Sequence, residues 1–461
     1  MAQTTIAEHI FRQYDIRGLV GSEINEELAY LIGRAYARVA ADAGKNNIAI
    51  GYDCRESSPG LAAELCRGIN DEGLDATLLG MGPTPVVYWS LFEFDFGGGI
   101  QVTGSHNPSN MNGFKICLGQ DSLFGDRIQE LKKLILEINA NPECSKTVGK
   151  TEKKNILNDY IKCLVDNSKP HQGSRKLKIV VDAGNGVGGM VGAEALRQLG
   201  HEVIELYCDP DGTFPNHHPD PTVPKNLVDL QATVKSESAD MGIGWDGDGD
   251  RIGLVDENAE IIYGDMLLLI YAREVLKENP GASIIADVKC SSLLFNKIDE
   301  AGGKGVMWMT GHSLIKSKLK ELKALLAGEM SGHIFFKHRF FGFDCASYCS
   351  CRLAEIISSS DKPVSSYLSD LPETFNTPEI RIDCPDEQKF EIIKAAQEAF
   401  KDFKVNDIDG VRVEFPEGWG LLRASNTQPV LVSRFEANSE EKLAEYQKIM
   451  MDKLENIQQS L

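Results

Sequence analysis

The chain has 461 residues, too many for one hydrophobic core, and that length points to about two to four domains. Its 42% hydrophobic and 25% charged content is that of an ordinary globular protein, and no run of about 18 apolar residues is present that would cross a membrane. A formal net charge of -20 argues against nucleic acid and anionic membranes as partners but leaves a small anionic ligand open, because a few arginines and helix N-termini outweigh a distant negative surface.

The first residues carry Glu8 and Asp15 and lack the basic-then-apolar layout of a secretion signal, so the expected location is the cytoplasm. Eleven cysteines are scattered without a CxxC pair. The densest group, Cys345, Cys349 and Cys351, lacks the two-pair spacing of a structural zinc site, so reduced and mostly buried thiols are expected.

In chain order, three segments read alike: a short β-rich apolar run closed by an aspartate, at residues 47–53, 178–182 and 283–287. A helix-like stretch follows each, and some tens of residues later comes a polar, glycine-containing loop. Strand, loop, helix, strand in that order predicts βαβ units with parallel or mixed sheets. The expected fold class is α/β, with three similar mixed-sheet α/β domains and a C-terminal α+β domain around a central active-site cleft. The domains are expected at residues 1–150, 151–258, 259–370 and 371–461. The last should end in a polar amphipathic helix over residues 439–459.

Each of the four domains is expected to contribute one loop. In Thr103-Gly104-Ser105-His106-Asn107-Pro108, after a glycine-rich strand, a constrained and exposed serine hydroxyl could carry a phosphoryl group. Asp246-Gly247-Asp248-Gly249-Asp250-Arg251 follows the apolar strand 241–245 and packs three carboxylates into one turn, which suits a hard cation such as Mg²⁺. An EF-hand is the competing pattern, but its sixth position would be Arg251 where the sharp turn requires glycine. Gly328-Glu329-Met330-Ser331-Gly332-His333 pairs a carboxylate with a hydroxyl two residues on, as recognition of adjacent sugar hydroxyls would need. Arg423-Ala424-Ser425-Asn426-Thr427-Gln428-Pro429 collects a guanidinium, hydroxyls and an amide that match a tetrahedral anion. Each loop alone also suits a plain structural role: a turn, a solvated acidic bend, a buried glutamate, or an arginine in a surface salt bridge.

Together the four loops resemble the α-D-phosphohexomutase superfamily nearly end to end. The resemblance extends to Phe11-Arg12-Gln13-Tyr14-Asp15-Ile16-Arg17-Gly18, to Asn112-Gly113-Phe114-Lys115, to Asp287-Val288-Lys289-Cys290 and to Thr310-Gly311-His312. Within the superfamily the chain looks most like bacterial bifunctional phosphomannomutase/phosphoglucomutases. Phosphoglucosamine mutases, the alternative, usually have Gln where Met330 stands and Ser-Gly-Thr where Ser425-Asn426-Thr427 stands. Gln428 departs from the family, where Thr or Glu is commoner. A metal-dependent sugar phosphatase would share the aspartate loop but not the Glu329 loop.

The resemblance implies an isomerase moving a phosphoryl group between O6 and O1 of mannose or glucose phosphate, through a phosphoserine and a hexose 1,6-bisphosphate. It implies Ser105, His106, Lys115, Arg251 and His333 as catalytic groups, and one Mg²⁺ per chain on Ser105, Asp246, Asp248 and Asp250. Tyr14, Arg17, Lys289, His312, Glu329, Ser331, Arg423, Ser425, Asn426 and Thr427 would bind substrate. The expected partners are hexose phosphates alone, with no nucleic acid, no membrane and a monomeric chain.

Overall fold

The computed structural model describes residues 5–143, 147–426 and 428–460. Each of the three aspartate-closed runs forms the middle strand of a parallel trio, because its Ile and Val side chains are buried on both faces of a sheet. In the first sheet Asn47–Tyr52 lies between Asp75–Met81 and Gly98–Val102. In the second, Lys178–Asp182 lies between Glu202–Leu206 and Met241–Trp245. In the third, Ser283–Asp287 lies between Lys304–Trp308 and Leu326–Gly328.

Each trio is then extended by one antiparallel strand: Met111–Leu118, Ile252–Val255 and Ile334–Phe336 respectively. The Ser105, Asp246 and Glu329 loops are the three equivalent connections from the last parallel strand to that antiparallel one. The expected repeat is therefore a repeat of topology, with a chemically distinct turn at the same place in each unit. Helices cover the sheets. The first long one, Glu26–Asp42, is started by Asn25, whose side chain accepts from the Leu28 N–H, and by acids at Glu26 and Glu27 in its first turn.

The fourth sheet is antiparallel, built on Val411–Phe415, Gly418–Ala424 and Val430–Ala437, and covered by Asp386–Ala399 and Glu440–Ser460. Two expected boundaries fall early. Thr151–Lys153 pairs with Asp75–Met81 at the edge of the first sheet, so that unit runs past 150. Ile261–Ile262 pairs with Ile252–Val255, so the second runs past 258. Both are two- or three-residue edge strands, too short to leave a periodic signal.

One apolar core runs through the first three units, from Trp89 and Tyr160 through Trp245 to Tyr271 and Leu353. The fourth has its own core around Ile392, Phe400, Leu431 and Leu454. The ten cysteines among the described residues are free thiols. No described helix is long and apolar enough to cross a membrane.

Candidate active site

The serine loop is held from beneath by the aspartate that closes its own middle strand. Asp53 Oδ2 accepts from the Thr103 hydroxyl at 2.8 Å and from the Gly104 N–H at 3.2 Å. Arg55, paired with Asp53, donates to the carbonyls of Ser105, Asn107, Pro108 and Met111. Gly104 is required there, since a Cβ would lie 2.6 Å from the Arg55 guanidinium carbon. The result is a buried Ser105 in the left-handed region, with φ +50°. Its Oγ is 3.0 Å from Asp246 Oδ2 and 3.2 Å from His106 Nδ1. Burial, then the charges of Arg251 and Arg17, hold the His106 ring well below its ordinary pKa and therefore neutral.

The aspartate loop meets the serine loop backbone to backbone. A Cβ on Gly247 would come within 2.4 Å of the Ser105 carbonyl oxygen. Asp246, Asp248 and Asp250 are fully buried, and one oxygen from each falls in a cluster within 4.8 Å. Asp246 Oδ1 accepts from the N–H groups of Asp250 and Arg251, both at 3.0 Å. Lys115 Nζ reaches both Asp248, at 2.6 Å, and Asp250. Burial and the two neighbouring carboxylates push Asp246 far above the usual carboxylate range. Against burial, Lys115 and the Thr84 hydroxyl hold Asp248 below it. Burial lowers the Lys115 pKa, but Asp248 and Asp250 outweigh it and raise the value on balance, so the ammonium persists. Asp248 Oδ1 and Asp250 Oδ1 are buried without a hydrogen-bond partner among the described residues. Three clustered buried carboxylates, two of them with an unpartnered oxygen among the described residues, have the donor set of a hard divalent cation.

The Glu329 loop joins the aspartate loop through Ile252 N to the Gly332 carbonyl, 3.0 Å, and through Arg251 Nε to His333 Nε2, 2.9 Å. Glu329 is buried and accepts from the Gly311 N–H at 2.6 Å, and burial raises its pKa. Asp287, again the aspartate closing the middle strand, accepts from the Met330 N–H at 3.4 Å. Ser331 is half-buried in the turn. His312 stacks on His333 with centroids 5.6 Å apart, and Tyr14 meets His312 edge-on.

The fourth domain closes the ring. Asp409 Oδ2 accepts from Arg423 Nε and from the Thr310 N–H, both at 2.9 Å, while Arg423 keeps a buried terminal nitrogen without a partner among the described residues. Lys289 lies 3.4 Å from Glu379 of the fourth domain and is close enough to feel Arg423 and Glu329. Arg17, fixed by Asp15 at 2.6 Å, feels Asp248 and Asp250. Ser425 is buried, with Oγ accepting from the Gln428 N–H, and Asn426 is half-buried beside it. Thr427 lies outside the described residues.

Sequence reasoning thus found the four loops but missed the groups that brace them: Arg55, Thr84, Asp344 and Asp409. Arg55 stands two residues after a strand-closing aspartate, which is its one local signal, and its carbonyl partners are about 50 residues away.

A buried serine hydroxyl, a carboxylate triad, a buried glutamate and an arginine with a free donor, brought together from four loops, are parts that phosphoryl transfer on an organic phosphate can use. Four family models match in order: phosphoglucomutase/phosphomannomutase alpha/beta/alpha domains I, II and III at residues 8–141, 158–260 and 263–375, and the C-terminal domain at 379–453. The chain is 46% identical to a phosphomannomutase/phosphoglucomutase of Pseudomonas aeruginosa, over 99% of this chain and 98% of the relative. It is 48% identical to a phosphoglucomutase of Neisseria meningitidis, over 94% of each. The crystal structure of a phosphoglucomutase/phosphomannomutase family protein from Burkholderia thailandensis superposes with a TM-score of 0.91 at 41% identity, covering 98% of both chains. The chain belongs to the phosphoglucomutase/phosphomannomutase family and is an enzyme of the isomerase class.

Proposed function

We propose that the enzyme moves a phosphoryl group reversibly between O6 and O1 of mannose and glucose phosphates, with Ser105 as the covalent carrier and a hexose 1,6-bisphosphate as intermediate. The observation that carries this reading is the Ser105 hydroxyl, turned out of its strand by a left-handed backbone and set 3.0 Å from the carboxylate triad. In the forward half-reaction the phosphorus–Oγ bond of phosphoserine breaks and a bond forms to the free hydroxyl of the 6-phosphosugar. The hydroxyl's proton passes to the site and the bisphosphate is formed. The sugar then turns over, the other phosphoryl group returns to Ser105, and the proton count is restored.

Neutral His106 lies at the hydroxyl that gains and loses the proton. Lys115 and Arg251 place cations beside the transferred group, and Arg17 adds a third from the first domain. One Mg²⁺ on Asp246, Asp248, Asp250 and the Ser105 oxygen would offset charge on the transferring phosphoryl group. Glu329 and Ser331 take the sugar's 3- and 4-hydroxyls, which are equatorial in glucose and mannose alike, so neither reads carbon 2. Tyr14, Lys289 and His312 line the cleft, and Arg423, Ser425, Asn426 and Thr427 clasp the phosphate that is not reacting.

One chain supplies every group named, so a monomer suffices, working on sugar phosphates in the cytoplasm. The test is Ser105→Ala, assayed by coupled turnover on mannose, glucose and glucosamine 1-phosphates with free phosphate measured alongside. The variant should lose steady turnover yet bind sugar phosphate as before. Undiminished isomerisation by the variant, or release of inorganic phosphate in place of isomerised sugar by the intact enzyme, would contradict the reading.

A further inference from the structure

Behind the aspartate loop lies a fully buried carboxylate that the proposed reaction does not use. Asp344 sits across from Phe335 at the end of the segment that follows the Glu329 loop. Its Oδ1 accepts from Lys316 Nζ at 3.2 Å. Its Oδ2 lies 3.1 Å from His333 Nδ1 and 3.6 Å from His312 Nδ1. The other ring nitrogen of His333, Nε2, is 2.9 Å from Arg251 Nε.

The chemistry of these atoms fixes where the His333 proton is. An arginine Nε always carries hydrogen, so its contact with Nε2 requires a lone pair there. In a neutral imidazole the other nitrogen must then be the N–H, and its nearest acceptor is Asp344 Oδ2 at 3.1 Å, a close contact and not an aligned hydrogen bond among the described residues. Asp344, His333 and Arg251 therefore stand in line from the third domain into the second, with a hydrogen bond between Arg251 and His333 and a close charge contact between His333 and Asp344. Asp250 Oδ1 also lies 3.5 Å from His333 Nδ1, so Asp250, His333 and Asp344 have the spacing of a cation site. A cation on Nδ1 would, however, leave the proton on Nε2, pointing at the Arg251 N–H. The contact between Arg251 and His333 disfavours that occupant.

We infer that Asp344 is a positioning residue for phosphoryl transfer: it holds His333 in the Nδ1–H tautomer, and His333 in turn fixes the Arg251 guanidinium beside Ser105 and Asp246. This deepens the function proposed above and rests on the reading of Arg251 as a phosphoryl contact. Asp344→Asn removes the device with almost no change of shape. Lys316 claims the amide oxygen, so the amide NH₂ faces His333 and draws the proton to Nε2. Two N–H groups then oppose each other and Arg251 is released.

The experiment uses Mg²⁺-loaded, ¹⁵N-histidine-labelled enzyme and two-bond ¹H–¹⁵N spectra, with His333 assigned through His333→Gln. The intact enzyme should show the Nδ1–H tautomer at His333, and Asp344→Asn should move it to Nε2–H. Turnover should fall about 10- to 100-fold, with KM within about threefold. In the His333→Gln background Asp344→Asn should cost less than about twofold, because its effect passes through His333. An Nε2–H tautomer in the intact enzyme, or full additivity of the two substitutions, would overturn the inference. If Asp344→Asn does not fold, the tautomer of the intact enzyme decides. An enzyme that isomerises no sugar phosphate yet keeps Nδ1–H would overturn the proposed function while leaving the tautomer assignment standing.

Discussion

Holding Ser105 at φ +50° costs the chain roughly 1–3 kcal/mol, and the buried guanidinium of Arg55 is what makes that conformation the stable one. It gathers the carbonyls of Ser105, Asn107, Pro108 and Met111 onto one side chain. Arg55→Lys keeps the charge but loses the fork, so turnover should fall at least about tenfold and the melting temperature should drop. Steady-state kinetics and calorimetry on one preparation check both, and unchanged turnover would remove the bracing role. At the other end of the cleft, Lys289 lowers the Glu379 pKa from the ordinary 4.5 to about 2. A depressed carboxylate contributes stability that is complete above pH 4.5 and is lost as pH falls toward 2. Denaturation measured from pH 6 downward should therefore show a shallower acid-side loss in Glu379→Gln. A curve identical to that of the unsubstituted enzyme would show that the pair contributes nothing. Of the residue-scale features, the loops' chemistry was legible because each packs its functional groups into about six consecutive positions. Arg55, Asp344 and Asp409 were not, because each acts on groups far away in sequence.

At the scale of elements, three copies of one topology each present a different turn at the same connection. The aspartate ending the middle strand serves two of those turns directly, Asp53 under the serine loop and Asp287 under the Glu329 loop. This is why the repeat could be read from strand runs closed by aspartate. The βαβ order predicted parallel or mixed sheets, and the sheets are mixed; which strand of each unit runs antiparallel had no signal, since alternation does not report strand direction. The close approach of turns from different units makes Gly247 a sharp test. An alanine there would put a Cβ 2.4 Å from the Ser105 carbonyl, costing about 1–3 kcal/mol of stability. The displaced serine should lower turnover about 10²-fold, more than the stability loss alone would suggest. Comparing turnover with the unfolding midpoint separates the two effects, and an active, unshifted Gly247→Ala would contradict the packing.

Across the whole molecule, one core unites the first three domains, whereas the fourth is joined mainly by polar contacts and a small apolar patch of Val288, Trp419 and Leu421. Arg412 bonds the carbonyls of Val288 and Cys290, and Ser291 and Trp419 share Glu436. Hydrogen exchange should accordingly open the fourth sheet at lower denaturant than the strand Asn47–Tyr52. A single, simultaneous transition would mean that the four domains fold as one unit. Such a joint suits the proposed cycle, in which the sugar turns over between half-reactions.

The most direct test of the whole account is where the transferred phosphoryl group rests between those half-reactions. Mg²⁺-loaded enzyme incubated with glucose 1,6-bisphosphate, then digested and weighed, should carry one increment of about 80 Da on the peptide containing Ser105. Adding a hexose monophosphate should remove that increment as bisphosphate forms. Phosphate on a different residue, or an unmodified enzyme turning over at its full rate, would contradict it.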